Sequence, residues 1–108
     1  MKHIALAAAL CCALTAPAAA ENFTVRITIQ NGRFAPAEPH APAGRPVTLI
    51  VRNLEKTTAE FESKSLRIEH EIAPGGEARI ELEPLARGAY RFFDDYHEAI
   101  PQGRLVAD

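Results

Sequence analysis

Sulfur-containing side chains are almost absent from this sequence. Its two cysteines, Cys11 and Cys12, lie within the first twenty residues, and Met1 is its only methionine. The remainder of the chain can therefore form no disulfide and offers no nucleophilic cysteine. It also has no thiolate or thioether ligand, and these are the soft ligands that Cu(I) prefers. The composition argues against a Cu(I) site in residues 21–108.

A basic stripe and a long apolar run are also missing. Of the 12 basic residues, 11 are scattered through residues 21–108, where all 14 acidic residues lie. Nucleic-acid binding is not expected, because it needs basic residues gathered on one surface. The longest apolar run, Ile4–Leu14, is shorter than the roughly 20 residues that span a bilayer.

The first twenty residues have the pattern of a secretory signal peptide. A basic residue near the start precedes the apolar run Ile4–Leu14, and three alanines precede Glu21. We therefore predict a cleaved signal peptide over residues 1–20, a single domain over residues 21–108, and a periplasmic protein. A lipid anchor on one of the two cysteines is a weaker alternative, since the residues before them make a poor lipidation box.

Short strand-like segments alternate with turn residues through the rest of the chain. Phe23–Gln30 and Glu77–Glu83 alternate apolar and polar residues, and Pro46–Asn53 is rich in β-branched residues. Proline, glycine and asparagine separate such segments about every ten residues. No long helix is indicated, although a helical turn within Glu55–Leu66 is left open. The pattern predicts an all-β protein, an antiparallel sandwich or barrel of seven to eight strands.

From Phe34 onward the order of these segments resembles the cupredoxin-like family. The segments that carry the resemblance are Phe34-Ala-Pro36, Ala43-Gly-Arg-Pro-Val47, Val51-Arg-Asn53, Ala73-Pro-Gly75, Leu85-Ala-Arg-Gly-Ala-Tyr90 and Arg104-Leu-Val106. Two more, Glu60-Phe-Glu-Ser63 and Phe92-Phe-Asp-Asp-Tyr-His97, resemble the small periplasmic cupredoxin-like proteins of bacterial ferrous-iron uptake systems. The resemblance implies a cupredoxin-like Greek-key β-sandwich.

The blue-copper ligands of that family are largely missing here. In blue-copper members the last loop runs Tyr-x-Phe-x-Cys-x-x-His and is followed by a methionine. On this pattern Asp94 falls at the cysteine, His97 at the histidine and Pro101 near the methionine. The upstream histidine region falls on Ala59–Glu62, which contains no histidine. A type 1 copper site is therefore not expected.

Carboxylates and imidazoles remain as candidate metal ligands. The resemblance implies four primary ligands, Glu62, Glu69, Asp95 and His97, and three secondary ones, Glu60, Asp94 and His70. Such a ligand set suits iron, Mn(II) or Cu(II) rather than Cu(I). Each candidate also has an ordinary structural alternative. The carboxylates could be solvated sheet residues, His70 a packed residue, and His97 a loop residue hydrogen-bonded to Asp94 or Asp95.

The resemblance implies a periplasmic iron-handling component of a ferrous-iron uptake system. Such a protein would bind iron and deliver it to a membrane permease, while oxidation of the iron, with copper as the bound redox metal, is left open because it rests on the resemblance alone. Its partners would be a metal ion and periplasmic or membrane iron-uptake proteins, and a homodimer is left open. The alternatives are a metal-free protein-interaction module and a periplasmic Cu(II) carrier. No hydrolase or phosphate-binding motif is present.

Overall fold

The computed structural model describes His3 and residues 22–108, which contain nine β-strands and no helix. The strands are β1 (Phe23–Gln30), β2 (Arg33–Ala35), β3 (His40–Ala41), β4 (Val47–Asn53), β5 (Ala59–Ser63), β6 (Ile68–Ile72), β7 (Glu77–Leu82), β8 (Gly88–Asp94) and β9 (Gly103–Ala107). No helix in this part of the chain is long and apolar enough to cross a membrane. The predicted signal peptide falls, except for His3, outside the described residues.

The strands form two sheets. One has four strands in the order β2-β1-β4-β7, and the other has five in the order β3-β9-β8-β5-β6. The inner faces of both sheets contribute to one hydrophobic core. At its centre, the ring of Phe92 lies 4.9 Å from that of Phe34 in an edge-to-face arrangement and 5.1 Å from that of Phe61. The all-β sandwich predicted from the sequence is confirmed.

The structure differs from the predicted architecture in strand number and in pairing. There are nine strands rather than seven to eight, because the proline-rich segment after Phe34 contributes the two-residue edge strand β3. The expectation of purely antiparallel sheets is wrong, since β1 pairs with β4 and β3 with β9 in parallel. An alternating pattern fixes which face of a strand is buried, but it does not specify the neighbouring strand or its direction. The helical turn left open within Glu55–Leu66 does not form a helix.

Candidate metal site

Strand β5 places two glutamates on the outer face of the five-stranded sheet. Successive side chains of a strand point to opposite faces, so Phe61 and Ser63 face the core while Glu60 and Glu62 face away from it. Phe61 and Ser63 are both fully buried. Glu60 is nevertheless only 6% exposed, because neighbouring strands and the loop after β8 cover it. A carboxylate with so little contact with water needs compensation nearby.

Glu60 and Glu62 meet a third carboxylate, that of Asp95. Asp95 directly follows β8, and its backbone N–H donates to the carbonyl of Glu60 over 2.9 Å. The three side chains each place a carboxylate oxygen within 4.8 Å of the others. Among the described residues this is the one group of three or more acidic, histidine or cysteine side chains close enough to share a metal ion. We refer to Glu60, Glu62 and Asp95 as the carboxylate triad.

Strand β6 adds further negative charge beside the triad. Glu69 lies opposite Glu62, and Glu71 lies opposite Glu60, in the antiparallel pairing of β5 and β6. The hydrogen bond with Glu69 raises the pKa of Glu60 above its ordinary value, and burial and the charges of Glu69 and Glu71 act in the same direction. None of the four ion pairs among the described residues includes any of these carboxylates. Within the described part of the chain, the cluster therefore shows no ion pair with a side-chain cation.

Tyr96 lies at the edge of this cluster. Its phenolic O–H donates to the carboxylate of Glu71, and the carboxylate of Glu60 is a second neighbour that acts on the pKa of Tyr96. These two acceptors raise the pKa of Tyr96, because they favour the protonated phenol. Tyr96 is not among the ligands predicted from the sequence motifs. Only its position next to the candidate Asp95 could have pointed to it, because the alternation of side chains along β8 ends with the strand at Asp94.

Asp94 and His97 form a separate hydrogen-bond network. The carboxylate of Asp94 is 1% exposed, and its Oδ1 accepts from the backbone N–H groups of Glu60 and Tyr96, each over 3.0 Å. Its Oδ2 lies 2.9 Å from His97 Nδ1, while His97 Nε2 lies 3.0 Å from the hydroxyl of Thr57. When Asp94 is ionised and the imidazole is neutral, Nδ1–H donates to Asp94 and Nε2 accepts from the hydroxyl of Thr57. Both nitrogens of His97 are thus engaged.

The structure divides the predicted ligand set. It brings the primary candidates Glu62 and Asp95 together with the secondary candidate Glu60, and it places Glu69 directly across from Glu62. His97 and Asp94 lie in their own network instead. His70 pairs with Phe61 on the edge strand β6 and is exposed. The alternative in which His97 hydrogen-bonds to Asp94 describes the geometry that the structure shows.

The fold and the matched sequence together settle the family. A model of the cupredoxin-like domain matches residues 2–107. The chain belongs to the cupredoxin-like domain family. An uncharacterized protein from Rickettsia prowazekii (strain Madrid E) is 34% identical over 84 residues, which is 78% of this chain and 67% of that protein.

Several solved cupredoxin structures share the architecture. Auracyanin from Roseiflexus castenholzii matches with a TM-score of 0.67 at 15% identity, covering 82% of this chain and 98% of that one. The metal-binding domain of the Cu(I)-exporting P-type ATPase of Streptococcus pneumoniae D39 matches with a TM-score of 0.65 at 18% identity, covering 79% and 84%. A purple cupredoxin from Nitrosopumilus maritimus gives 0.56 at 15% identity, covering 78% and 99%. At these identities the likeness concerns the fold.

The residues of this cupredoxin-like chain do not fit a type 1 copper centre. Such a centre needs a cysteine thiolate, and no cysteine occurs after Cys12. Asp94, which falls at the cysteine position of the blue-copper pattern, is hydrogen-bonded directly to His97, which falls at the histidine position. The carboxylate of Asp94 is also committed to two backbone N–H groups. The position that holds copper in blue-copper members is therefore occupied here by a hydrogen-bonded aspartate–histidine pair.

Proposed function

We propose that this cupredoxin-like protein binds a hard metal ion through the carboxylate triad. The observation that carries the proposal is the convergence of Glu60, Glu62 and Asp95, whose carboxylate oxygens lie within 4.8 Å of one another. A bound cation would relieve the repulsion among these carboxylates and compensate the buried charge of Glu60. Carboxylate ligands favour hard ions over Cu(I), which agrees with the lack of sulfur ligands.

We further propose that the ion is iron and that the protein is a periplasmic iron-handling component of a ferrous-iron uptake system. The support for this role is the resemblance of Glu60-Phe-Glu-Ser63 and Phe92-Phe-Asp-Asp-Tyr-His97 to proteins of such systems. The position of the triad suits delivery to a partner. Asp95 is exposed, and Glu62 and Asp95 also line an open groove with Lys64, Arg91 and Phe93. An ion held at this face can be reached by a membrane permease or a periplasmic partner.

Metal titration of the purified protein tests the binding site. Fe(II) under anaerobic conditions, Fe(III), Mn(II) and Cu(II) are each titrated and followed by calorimetry. Replacing Glu60 or Glu62 by glutamine, or Asp95 by asparagine, is expected to weaken binding by roughly 10- to 100-fold or more. Glu77→Gln is the matched control, because Glu77 is an exposed glutamate on β7 in the other sheet. Equal affinity in the triad variants and in the control would place the metal elsewhere.

Competition between metals distinguishes iron handling from the periplasmic Cu(II) carrier. Copper deserves this comparison because the similar solved structures include the metal-binding domain of a copper exporter. Iron handling predicts that iron remains on the triad in the presence of equimolar Cu(II). Displacement by Cu(II) would favour the carrier, and binding of none of the four ions would leave the metal-free interaction module. Oxygen consumption with Fe(II), with and without Cu(II), tests the iron oxidase activity separately.

A further inference from the structure

Tyr96 brings a fourth oxygen donor, a phenol, to the three carboxylates of the triad. The residue follows Asp95 directly, and its backbone N–H is fixed by the buried carboxylate of Asp94 over 3.0 Å. Its side chain is not part of the core, since the residue is 47% exposed. The phenol instead extends to strand β6, where its O–H donates to Glu71, the residue opposite Glu60 in the pairing of β5 and β6. The phenolic oxygen therefore lies beside a carboxylate of the triad.

The surroundings of Glu60 indicate that a cation belongs at this place. More than nine-tenths of the residue is buried, and Glu69, Glu71 and Tyr96 are its titratable neighbours. No ion pair among the described residues compensates it. The phenol of Tyr96 is an uncharged donor among these carboxyl groups, and its O–H donates to Glu71, which lies opposite Glu60. A metal ion that enters the triad would therefore lie near the phenolic oxygen.

We propose that Tyr96 is a ligand of the metal ion bound by the carboxylate triad and that this ligand makes the site selective for Fe(III). The inference rests on the proposed metal-binding function. A phenolate is a hard anionic oxygen donor of the kind that protein tyrosines provide to iron. Together with three carboxylates it gives four anionic oxygens, which suit a trivalent ion better than a divalent one. Glu69 and Glu71 then act as hydrogen-bonding neighbours of the ligands.

The coordination step needs no oxidant or reductant. The O–H bond of Tyr96 breaks, its proton passes through the carboxylate of Glu71 to water, and the phenolate oxygen forms a bond to Fe(III). The iron remains trivalent throughout, and one proton is released for each phenolate that forms. Glu71 is placed for this transfer, because it already accepts the hydrogen bond of the phenol.

Visible absorption spectroscopy tests this ligand. A phenolate bound to Fe(III) gives a ligand-to-metal charge-transfer band in the visible region, which carboxylates and imidazole do not give. Titration of the full chain with ferric nitrilotriacetate is expected to produce this band in the unaltered protein and in Tyr90→Phe, but not in Tyr96→Phe. Tyr90 is the matched control, because it is the only other tyrosine and its O–H donates to the backbone carbonyl of Ala86. Tyr96→Phe is also expected to weaken Fe(III) binding by roughly tenfold or more.

The outcomes separate this inference from the proposed function. Iron bound by the unaltered protein without a charge-transfer band would overturn the role of Tyr96 and leave the triad standing. A band that survives in Tyr96→Phe would also overturn it. Failure of any iron to bind would overturn the proposed function itself. Circular dichroism of Tyr96→Phe against the unaltered protein confirms that the fold is kept, as expected for a half-exposed side chain on a loop.

Discussion

Asp94 and Asp95 are adjacent in sequence but have opposite surroundings. Asp94 ends β8 on the core side and satisfies two backbone N–H groups and one imidazole. Asp95 faces solvent and joins the carboxylate triad. Asp94 is the last residue of β8 and follows its alternation onto the core side, whereas Asp95 lies beyond the strand and is held by the hydrogen bond from its N–H to the carbonyl of Glu60. Asp94 thus holds the loop after β8 in place, while the carboxylate of Asp95 is available to a metal ion.

Asp94 should control the stability of the fold, and Asp95 should control metal binding. Asp94→Asn is expected to lower the free energy of unfolding by about 2–4 kcal/mol, because the amide cannot accept all three hydrogen bonds and leaves a buried donor unpaired. Asp95→Asn is expected to change that free energy by less than about 0.5 kcal/mol while weakening metal binding. Urea unfolding of both variants measures the difference, and comparable destabilisation by both would contradict it.

His97 offers a direct test of the sequence-based ligand set. Its ring bridges Asp94 and Thr57, so the geometry predicts a structural role. His97→Gln keeps an amide donor and a carbonyl acceptor, and metal affinity should change by less than the roughly 10- to 100-fold typical of a lost supporting group. His97→Ala should lower stability. A large loss of affinity in His97→Gln, measured by the same calorimetric titration, would instead make His97 a ligand, as the resemblance implied.

At the scale of strands, Gly103 of β9 leaves no room for a side chain against the ring of Phe92 on β8. Gly103 lies opposite Phe92 in their antiparallel pairing. A Cβ atom at this position would come within 2.3 Å of the Phe92 ring and 2.8 Å of the carbonyl oxygen of Ala37. Phe92 is fully buried against Phe34 and Phe61, so it has little freedom to move away. Gly103 therefore allows the last strand to close over the aromatic core.

Gly103→Ala is expected to destabilise the protein. The added methyl group would displace Phe92 in the core, at a cost of about 1–3 kcal/mol. The neighbouring Gln102→Ala serves as a control, because Gln102 is exposed and precedes the strand. Thermal unfolding followed by circular dichroism compares the two. A melting temperature of Gly103→Ala equal to that of the control would show that the core repacks around the methyl group.

The sequence predicted the strands better than their arrangement. Phe23–Gln30 was bounded correctly because its alternation is regular and turn residues follow it. The parallel pairing of this strand with β4 could not be predicted, since it depends on contacts between distant residues. Glu62 and Asp95 were selected from the motifs. Tyr96 was missed, because a residue beyond the end of a strand has no parity from which to infer its direction.

At the scale of the whole molecule, the side chain of Asn53 links the two sheets by hydrogen bonds. It ends β4, and its side-chain amide donates to the carbonyl of Ile72 on β6 over 2.9 Å and to that of Thr57 over 2.8 Å. Its side-chain oxygen accepts from the N–H of Glu55 over 3.0 Å. Thr57 in turn contacts His97. The position of the loop after β8 is thus linked to the far sheet through one fully buried side chain.

Stability should depend on pH through the carboxylate cluster. The pKa of Glu60 is raised above its ordinary 4.5 in the folded protein. Between the ordinary pKa of the unfolded chain and the raised pKa of the folded protein, the folded protein holds more protons. The contribution of Glu60 to stability is therefore lost as pH rises. Glu81 acts in the opposite sense, since the hydroxyl of Thr48 lowers its pKa, and its contribution is lost as pH falls.

Comparison with Glu60→Gln isolates the first contribution. The metal-free variant is expected to gain stability relative to the unaltered protein as pH increases from 4.5 toward neutrality, because glutamine does not ionise. Urea unfolding at a series of pH values measures this difference. Saturating metal should reduce it by stabilising the ionised triad of the unaltered protein. If the difference in unfolding free energy between the two metal-free proteins were the same at every pH, ionisation of Glu60 would not cost the folded protein stability.

The position of β9 has a consequence for the order in which the protein can fold. This last strand lies between β3 and β8 within the five-stranded sheet, and its residue Val106 pairs with His40. The five-stranded sheet cannot be completed until β9 has been synthesised and has paired with both of its neighbours. Closure of so long a loop also makes folding slow compared with that of proteins rich in local contacts. The outer face of this sheet, where the carboxylate triad lies, should therefore form only after residues 103–107 are free to pair.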